Sequence, residues 1–151
     1  MTDIDTGTED LLARVEDGVA VLTMNRPARR NALSGPMLAA LATVLAQVEI
    51  DDGVGAVVLT GAGGAFCAGG DVKAMAEGSG GGGPTLDERI HRQRLSHRAT
   101  SGRLWAMPKP TIACLPGPAA GAGLALALAC DLRYAADSAV LTTAFARVGF
   151  S

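Results

Sequence analysis

The sequence predicts an α/β fold with parallel strands, and three features carry that expectation. The first is a succession of strand, helix and strand: Val19–Met24 is strand-like, residues 34–50 repeat apolar positions at helical spacing, and residues 56–60 are apolar again. Two strands joined through a helix at this spacing form a βαβ unit, whose crossover is right-handed. The second is the stretch 109–131, KPTIACLPGPAAGAGLALALACD, in which a short apolar strand stops at Pro116-Gly117-Pro118 and passes through Gly121 and Gly123 into a helix. The third is Asp17-Gly18 between Leu11–Glu16 and Val19–Met24, a two-residue turn that makes those segments a hairpin.

Taken in order, the hairpin ends at Asn25-Arg26-Pro27, and Ser34 is placed to cap the helix that follows. Met37, Leu38, Leu41, Val44, Leu45 and Val48 form its apolar face, and Asp51-Asp52-Gly53 ends it. The glycine-rich insertion at 78–84 is expected to be mobile. Residues 85–107 carry Leu86, Ile90, Leu95, Leu104 and Trp105 among many charges and read as one further, more exposed helix. Thr111–Leu115 is long enough for a buried strand and too short for a helix. Residues 124–130 are Leu or Ala at nearly every position with no charge on any face, so that helix is expected to be buried all round, with Asp131 closing it. Leu132–Ala135 and residues 139–141 complete the pattern as short strands.

With 151 residues and 48% apolar side chains, the chain is long enough to bury one sizeable core as a single domain. A net charge of −2 argues against nucleic-acid binding and offers no basic face to a membrane. The longest apolar run, 124–130, is too short to span a bilayer, and MTDIDTGTED is acidic where an export or mitochondrial signal is basic, so a cytoplasmic location is expected. Cys67, Cys114 and Cys130 are odd in number, lie in apolar settings and form no C-x-x-C pair. They read as reduced core residues, and no metal site is expected.

The run from Pro116 to Asp131, with Lys109-Pro110 ahead of it, resembles the second signature of the crotonase (enoyl-CoA hydratase/isomerase) superfamily. Ala65-Phe66-Cys67-Ala68-Gly69-Gly70-Asp71-Val72-Lys73 resembles the first oxyanion loop of that superfamily, and Asn25-Arg26-Pro27 with Asn31-Ala32-Leu33 resembles its N-terminal signature. Three motifs in family order cover most of the chain. The resemblance implies a spiral of ββα units and an acyl-CoA-binding core over residues 1–151. It further implies an acyl-CoA thioester as substrate, with CoA part of the substrate and no separate cofactor, and a homo-trimer or hexamer. A further, mostly helical C-terminal portion is also implied. Because the sequence stops at Ser151 in what reads as a loop, it is expected to be the N-terminal part of a longer protein.

A thioester carbonyl gains negative charge on oxygen when its α-carbon loses a proton or its β-carbon takes a nucleophile. Two fixed N–H groups aimed at that oxygen would each stabilise the transition state by roughly 3 kcal/mol. Two glycine-rich turns, 61–71 and 117–123, each follow a strand and each could supply one such donor. The resemblance assigns the donors to the N–H groups of Gly70 and Ala122. It also assigns the backbone around Ala68 to the CoA adenine, and Arg30 and Lys73 to the phosphates, with Asp71 and Val72 in the same substrate-binding loop. Arg30 and Lys73 read equally well as solvated surface charges. Nucleotide motifs fail on the letters: Phe66 replaces the third glycine of a dinucleotide fingerprint, and Gly70-Asp71 replaces the Lys-Ser/Thr of a P-loop.

Hydratases of the superfamily carry two glutamates that hold and activate water; the corresponding positions here are Ala125 and Phe145. Neither moves a proton, so the acid/base group must come from elsewhere, and some relatives place an aspartate just beyond the point where this sequence ends. Within the chain, Asp71 is expected to cap a helix starting at Val72, and Asp87, Glu88, His91 and His97 lie on an exposed-looking helix. Two functions follow: an acyl-CoA enzyme of isomerase type more than an ordinary hydratase, or a non-catalytic acyl-CoA-binding or assembly subunit.

Overall fold

Asp17 and Gly18 both take positive φ, 50° and 77°, and this tight turn sets Glu16 opposite Val19. Strands β2 (Leu11–Glu16) and β3 (Val19–Met24) therefore pair antiparallel along their whole length, as the Asp-Gly signal requires. The computed structural model describes residues 1–71 and 83–144. Its main sheet has six strands in the order β1 (Thr2–Ile4), β2, β3, β4 (Ala56–Gly61), β5 (Thr111–Leu115) and β7 (Leu132–Ala135). The first two pairings are antiparallel, and β3 to β4, β4 to β5 and β5 to β7 are parallel.

A second sheet has two strands among the described residues. Strands β6 (Ala119–Ala120) and β8 (Leu141–Thr142) pair in parallel, and parallel bridges join Cys67 to Ala119 and Leu33 to Gly70. The units that start at β3, β4 and β5 thus each place one strand in the wide sheet and then pair a short segment outside it before the next described helix. This is the ββα spiral that the resemblance implied.

Helix α1 (Gly35–Ile50) is capped as expected, the Ser34 hydroxyl accepting the N–H of Met37 at 3.1 Å. It buries Met37, Leu41, Val44, Leu45 and Val48, whose burial is worth roughly 1.5–3 kcal/mol each. At its far end the Lys109 ammonium donates to the carbonyls of Val48 and Asp51 at 2.7 and 2.5 Å, satisfying the Val48 oxygen left free by the helix terminus and joining the Val54 N–H at the Asp51 oxygen. Leu11, Leu22, Met24, Leu59 and Phe66 complete the centre of the core.

Three expectations need correction. Residues 85–107 form two helices, α2 (Leu86–Ala99) and α3 (Ser101–Ala106), which break at Thr100. Thr100, Ser101 and Gly102 are weak helix formers, and the Thr100 hydroxyl donates back to the Ser96 carbonyl, so the chain can turn and bury Leu104. Helix α4 (Ala122–Ala129) is not buried all round: Gly123, Leu124, Leu126 and Ala127 face the core, while Ala125 is exposed and Leu128 is 60% exposed. Its uniform apolarity carries no information about which face packs. The last strand is Leu141–Thr142, since residues 136–139 turn through an Ala139 N–H to Ala136 carbonyl bond. Finally, the short strands β1 and β6 had no counterpart in the sequence reading.

Asp131 follows α4 as expected and has a partner that the sequence did not suggest. Its carboxylate accepts the N–H and the hydroxyl of Thr111 at 2.8 and 2.9 Å, fastening the end of α4 to the start of β5. Those two bonds hold its pKa below the ordinary carboxylate range. Among the described residues no helix is long and apolar enough to cross a membrane. Of the insertion at 78–84, residues 78–82 lie outside the described part, and Gly83 and Pro84 are exposed coil ahead of Thr85.

Candidate active site

The first glycine-rich turn is held by a buried side chain from 31 and 34 residues earlier in the sequence. Asn31, fully buried and at φ 57°, donates from Nδ2 to the carbonyls of Ala62 and Ala65, both at 2.9 Å. Its Oδ1 accepts the Arg26 N–H at 2.8 Å, so the amide is fully engaged. Phe66 and Cys67 then donate their N–H groups to the Pro118 carbonyl, and Ala120 donates to the carbonyl of Cys67 at 2.9 Å. The two glycine-rich turns are therefore joined through their main chains.

Beyond Cys67 the first turn changes direction at Gly69, whose φ of 94° is open to glycine and strained for other residues. A Cβ there would also come within 2.9 Å of the Ala120 carbonyl and 3.5 Å of the Ala122 nitrogen. Past this point the chain lies beside Leu33, which donates to the Gly69 carbonyl at 2.8 Å and accepts from the Asp71 N–H at 3.4 Å. Because alternate residues of an extended segment face opposite edges, the N–H of Gly70 is turned away from Leu33. It makes no hydrogen bond among the described residues.

On the second turn, Gly121 (φ 51°) donates to the Thr142 carbonyl and α4 begins at Ala122. Ala125 is the first residue of the helix whose N–H returns to a carbonyl of the same helix start, Gly121 at 3.0 Å. The N–H of Ala122 is left over, as the first donors of any helix are, and it too has no partner among the described residues. Both Gly70 and Ala122 are partly exposed. The geometry thus brings two unengaged main-chain donors to neighbouring turns, one of them one residue from a contact with the other.

The remaining expected site residues separate into two groups. Arg30 (φ 48°) is exposed, and its carbonyl accepts the N–H of the exposed Ala68 at 2.9 Å, so these two are neighbours. Asp71 accepts from Arg26 Nη1 at 3.0 Å, an ion pair that sequence reading missed; Val72, where the helix it was expected to cap would start, lies with Lys73 and Phe145 outside the described residues. His91 and His97 are exposed on α2, whose Thr85 cap and Glu88 form a reciprocal pair that lowers the Glu88 pKa through the Thr85 N–H and hydroxyl. Cys67 is buried next to the turn and donates to the Asn31 carbonyl; burial pushes its thiol up to about 11, which leaves it protonated and unreactive.

A ββα spiral whose two glycine-rich turns meet main chain to main chain defines a protein of the crotonase type. The chain belongs to the enoyl-CoA hydratase/isomerase family, whose profile matches residues 14–151. It is 43% identical over 141 residues to 1,2-epoxyphenylacetyl-CoA isomerase of Escherichia coli (strain K12), a match covering 93% of this chain and 53% of that protein. It is 37% identical to 4-chlorobenzoyl coenzyme A dehalogenase-1 of an Arthrobacter species, over 89% of this chain and 48% of the relative. The crystal structure of an enoyl-CoA hydratase/isomerase from Xanthobacter autotrophicus Py2 superposes with a TM-score of 0.78 at 38% identity, covering 87% of this chain and 48% of that one. The chain spans about half the length of the curated relatives it matches.

Proposed function

We propose that this protein acts on an acyl-CoA thioester and stabilises its enolate between the N–H groups of Gly70 and Ala122. The observation that carries the reading is the approach of the two turns: a Cβ on Gly69 would stand 3.5 Å from the Ala122 nitrogen, so neighbouring donors lie on adjoining main chains. A carbonyl oxygen set between two such donors is polarised without any side chain reaching it. The substrate must then touch the backbone, which accounts for the small residues at 68–70 and 121–123. Arg30 and Ala68, neighbours in the fold, fit the CoA end of such a substrate, with Lys73 as a second cation on the same loop.

Of the two reaction types, isomerisation is favoured over ordinary hydration. Ala125 stands exposed on the first turns of α4 with only a methyl group, at the position where a hydratase carries a glutamate. Two of the relatives are named for isomerisation and dehalogenation of CoA thioesters, which supports a reaction other than hydration. We place the proton-moving group outside the described residues, and a homo-trimer or hexamer as the working assembly.

The test is exchange of the thioester α-proton into deuterated water. Ala122→Pro removes the N–H, while Ala122→Ser keeps it and adds a small side chain. The proline variant should lose exchange while still binding free CoA, with circular dichroism confirming its fold, and the serine variant should retain much of it. A folded Ala122→Pro protein that exchanges at the parent rate would place the second donor elsewhere. A parent that binds CoA thioesters and exchanges no proton would favour a non-catalytic acyl-CoA-binding subunit.

A further inference from the structure

We infer that Arg26 is a positioning residue that aligns the Gly70 N–H through Asp71; the inference rests on the oxyanion reading above. The guanidinium reaches both strands of the Leu33–Gly70 bridge. Nη1 donates to the Ala32 carbonyl at 2.7 Å on one strand and to the Asp71 carboxylate at 3.0 Å on the other. Each contact is one residue from the bridged pair. Arg26 therefore spans the pairing that turns the Gly70 N–H away from Leu33.

The main chain alone holds this pairing unevenly. The Leu33 to Gly69 bond is 2.8 Å, but the Asp71 to Leu33 bond that closes the other side is 3.4 Å, beyond the usual 2.7–3.2 Å range. The charged contact at Asp71 adds a tie on that weak side, and its partners are well shielded, with Arg26 and Asp71 side chains 20% and 16% exposed. Arg26 is itself fixed from behind. Its N–H is held by Asn31, and its Nε faces the Asp10 carboxylate, which also accepts the hydroxyl of the α1 cap Ser34. The carboxylate of Asp71 is thus tied through one planar cation to the start of β2 and to the cap of α1. A lysine at this position has no fork with which to hold a carbonyl and two carboxylates together.

The test reads the carbonyl directly. The C=O stretch of crotonyl-CoA labelled with carbon-13 at the thioester carbon is recorded free and bound to the protein, alongside α-proton exchange of a 3-enoyl-CoA, whose α-carbon carries acidic hydrogens, free-CoA affinity and thermal melting. The parent should show a lowered frequency on binding. Arg26→Met should lose most of that lowering and about 10²-fold in exchange rate, as a misplacement on the order of 1 Å produces, while free-CoA affinity holds. Arg26→Lys should recover part of both, because its ammonium still reaches Asp71. Should Arg26→Met fail to fold, Arg26→Lys and Asp71→Asn carry the test, each expected to lower the shift in part; Arg14→Met, on the outer hairpin, should change neither readout. Folded variants with the parent's frequency shift and exchange rate would overturn the role of Arg26. A parent that binds crotonyl-CoA with no frequency change would overturn the oxyanion reading itself, and the inference with it.

Discussion

Gly123 is pressed against Cys67: a Cβ on the glycine would stand 2.6 Å from the Cys67 Cβ, 2.7 Å from its sulfur and 2.5 Å from its carbonyl oxygen. No side chain can enter without moving the first turn away from α4. Gly123→Ala should therefore cost about 1–3 kcal/mol by overpacking and lower α-proton exchange at the same time. A urea midpoint unchanged from the parent would show that the two turns are not in contact.

Asn31 offers a second mechanical test. Replacing it with alanine removes all three of its bonds and leaves the Ala62 and Ala65 carbonyls and the Arg26 N–H without their partner. Since an orphaned buried group costs about 1–3 kcal/mol, and of the three bonds the one to Ala65 is fully buried while the other two are partly buried, a loss of roughly 2 kcal/mol or more is expected in denaturant unfolding. Asn31→Asp should fare little better, because a carboxylate oxygen would then face two carbonyl oxygens. A loss under about 1 kcal/mol for both variants would be incompatible with the network.

The buried thiols set a pH dependence. Burial pushes both Cys67 and Cys130 up to about 11 from an ordinary 9.0, so the folded state keeps protons that the unfolded chain has released. Stability from this source is full below pH 9 and falls as pH rises toward 11, by about 1.4 kcal/mol per pH unit for each thiol. The urea midpoint should decline across that window and decline less in a Cys67→Ala, Cys130→Ala protein. Alkylation of the native protein by iodoacetamide at pH 8 should likewise run far slower than in urea, and equal rates would contradict the burial.

Crotonyl-CoA hydration should be slow. General acid/base groups contribute about 10² to 10⁴ each, and neither Ala125 nor Phe145 can serve as one. A turnover assay at an ordinary hydratase rate would refute the placement of residues 125 and 145 at the glutamate positions.

The 151-residue chain made by itself should self-associate. Leu128, Leu132, Tyr134, Val140 and Leu141 are each at least 50% exposed, and Trp105 is 78% exposed. Sedimentation should show oligomers that shrink in a Leu128→Lys, Leu132→Lys variant; a monomer with a sharp cooperative melt would count against this.

The parts of the fold that could be read from the sequence were those in which a pattern repeats. Ser34 with six apolar positions at helical spacing located α1, and Asp17-Gly18 located the hairpin, because in both cases the information is local. Strand β6 is two alanines between a proline and a glycine, and it exists only because Cys67 and Leu141 run beside it. The amide of Asn31 was equally hard to foresee. Its partners are main-chain carbonyls 31 and 34 residues away, and no side-chain pattern announces a carbonyl. The same holds for Arg26, a polar residue of a quoted motif whose ion pair with Asp71 spans 45 positions. In contrast, the proposed donors at Gly70 and Ala122 rest on comparing motifs, since a backbone donor leaves no chemical mark on its own letter.

The link from Phe66 and Cys67 to Pro118, and from Ala120 back to Cys67, also bears on how such a protein can be probed at all. Alanine scanning would pass over position 122, which already is alanine, and would register position 70 as little more than an added methyl group. Informative perturbation has to act on the peptide bond. Exchanging the amide at 122 for an ester through semisynthesis puts an oxygen in place of the N–H while leaving every side chain in place, and it would test whether the proposed donor takes part in the chemistry.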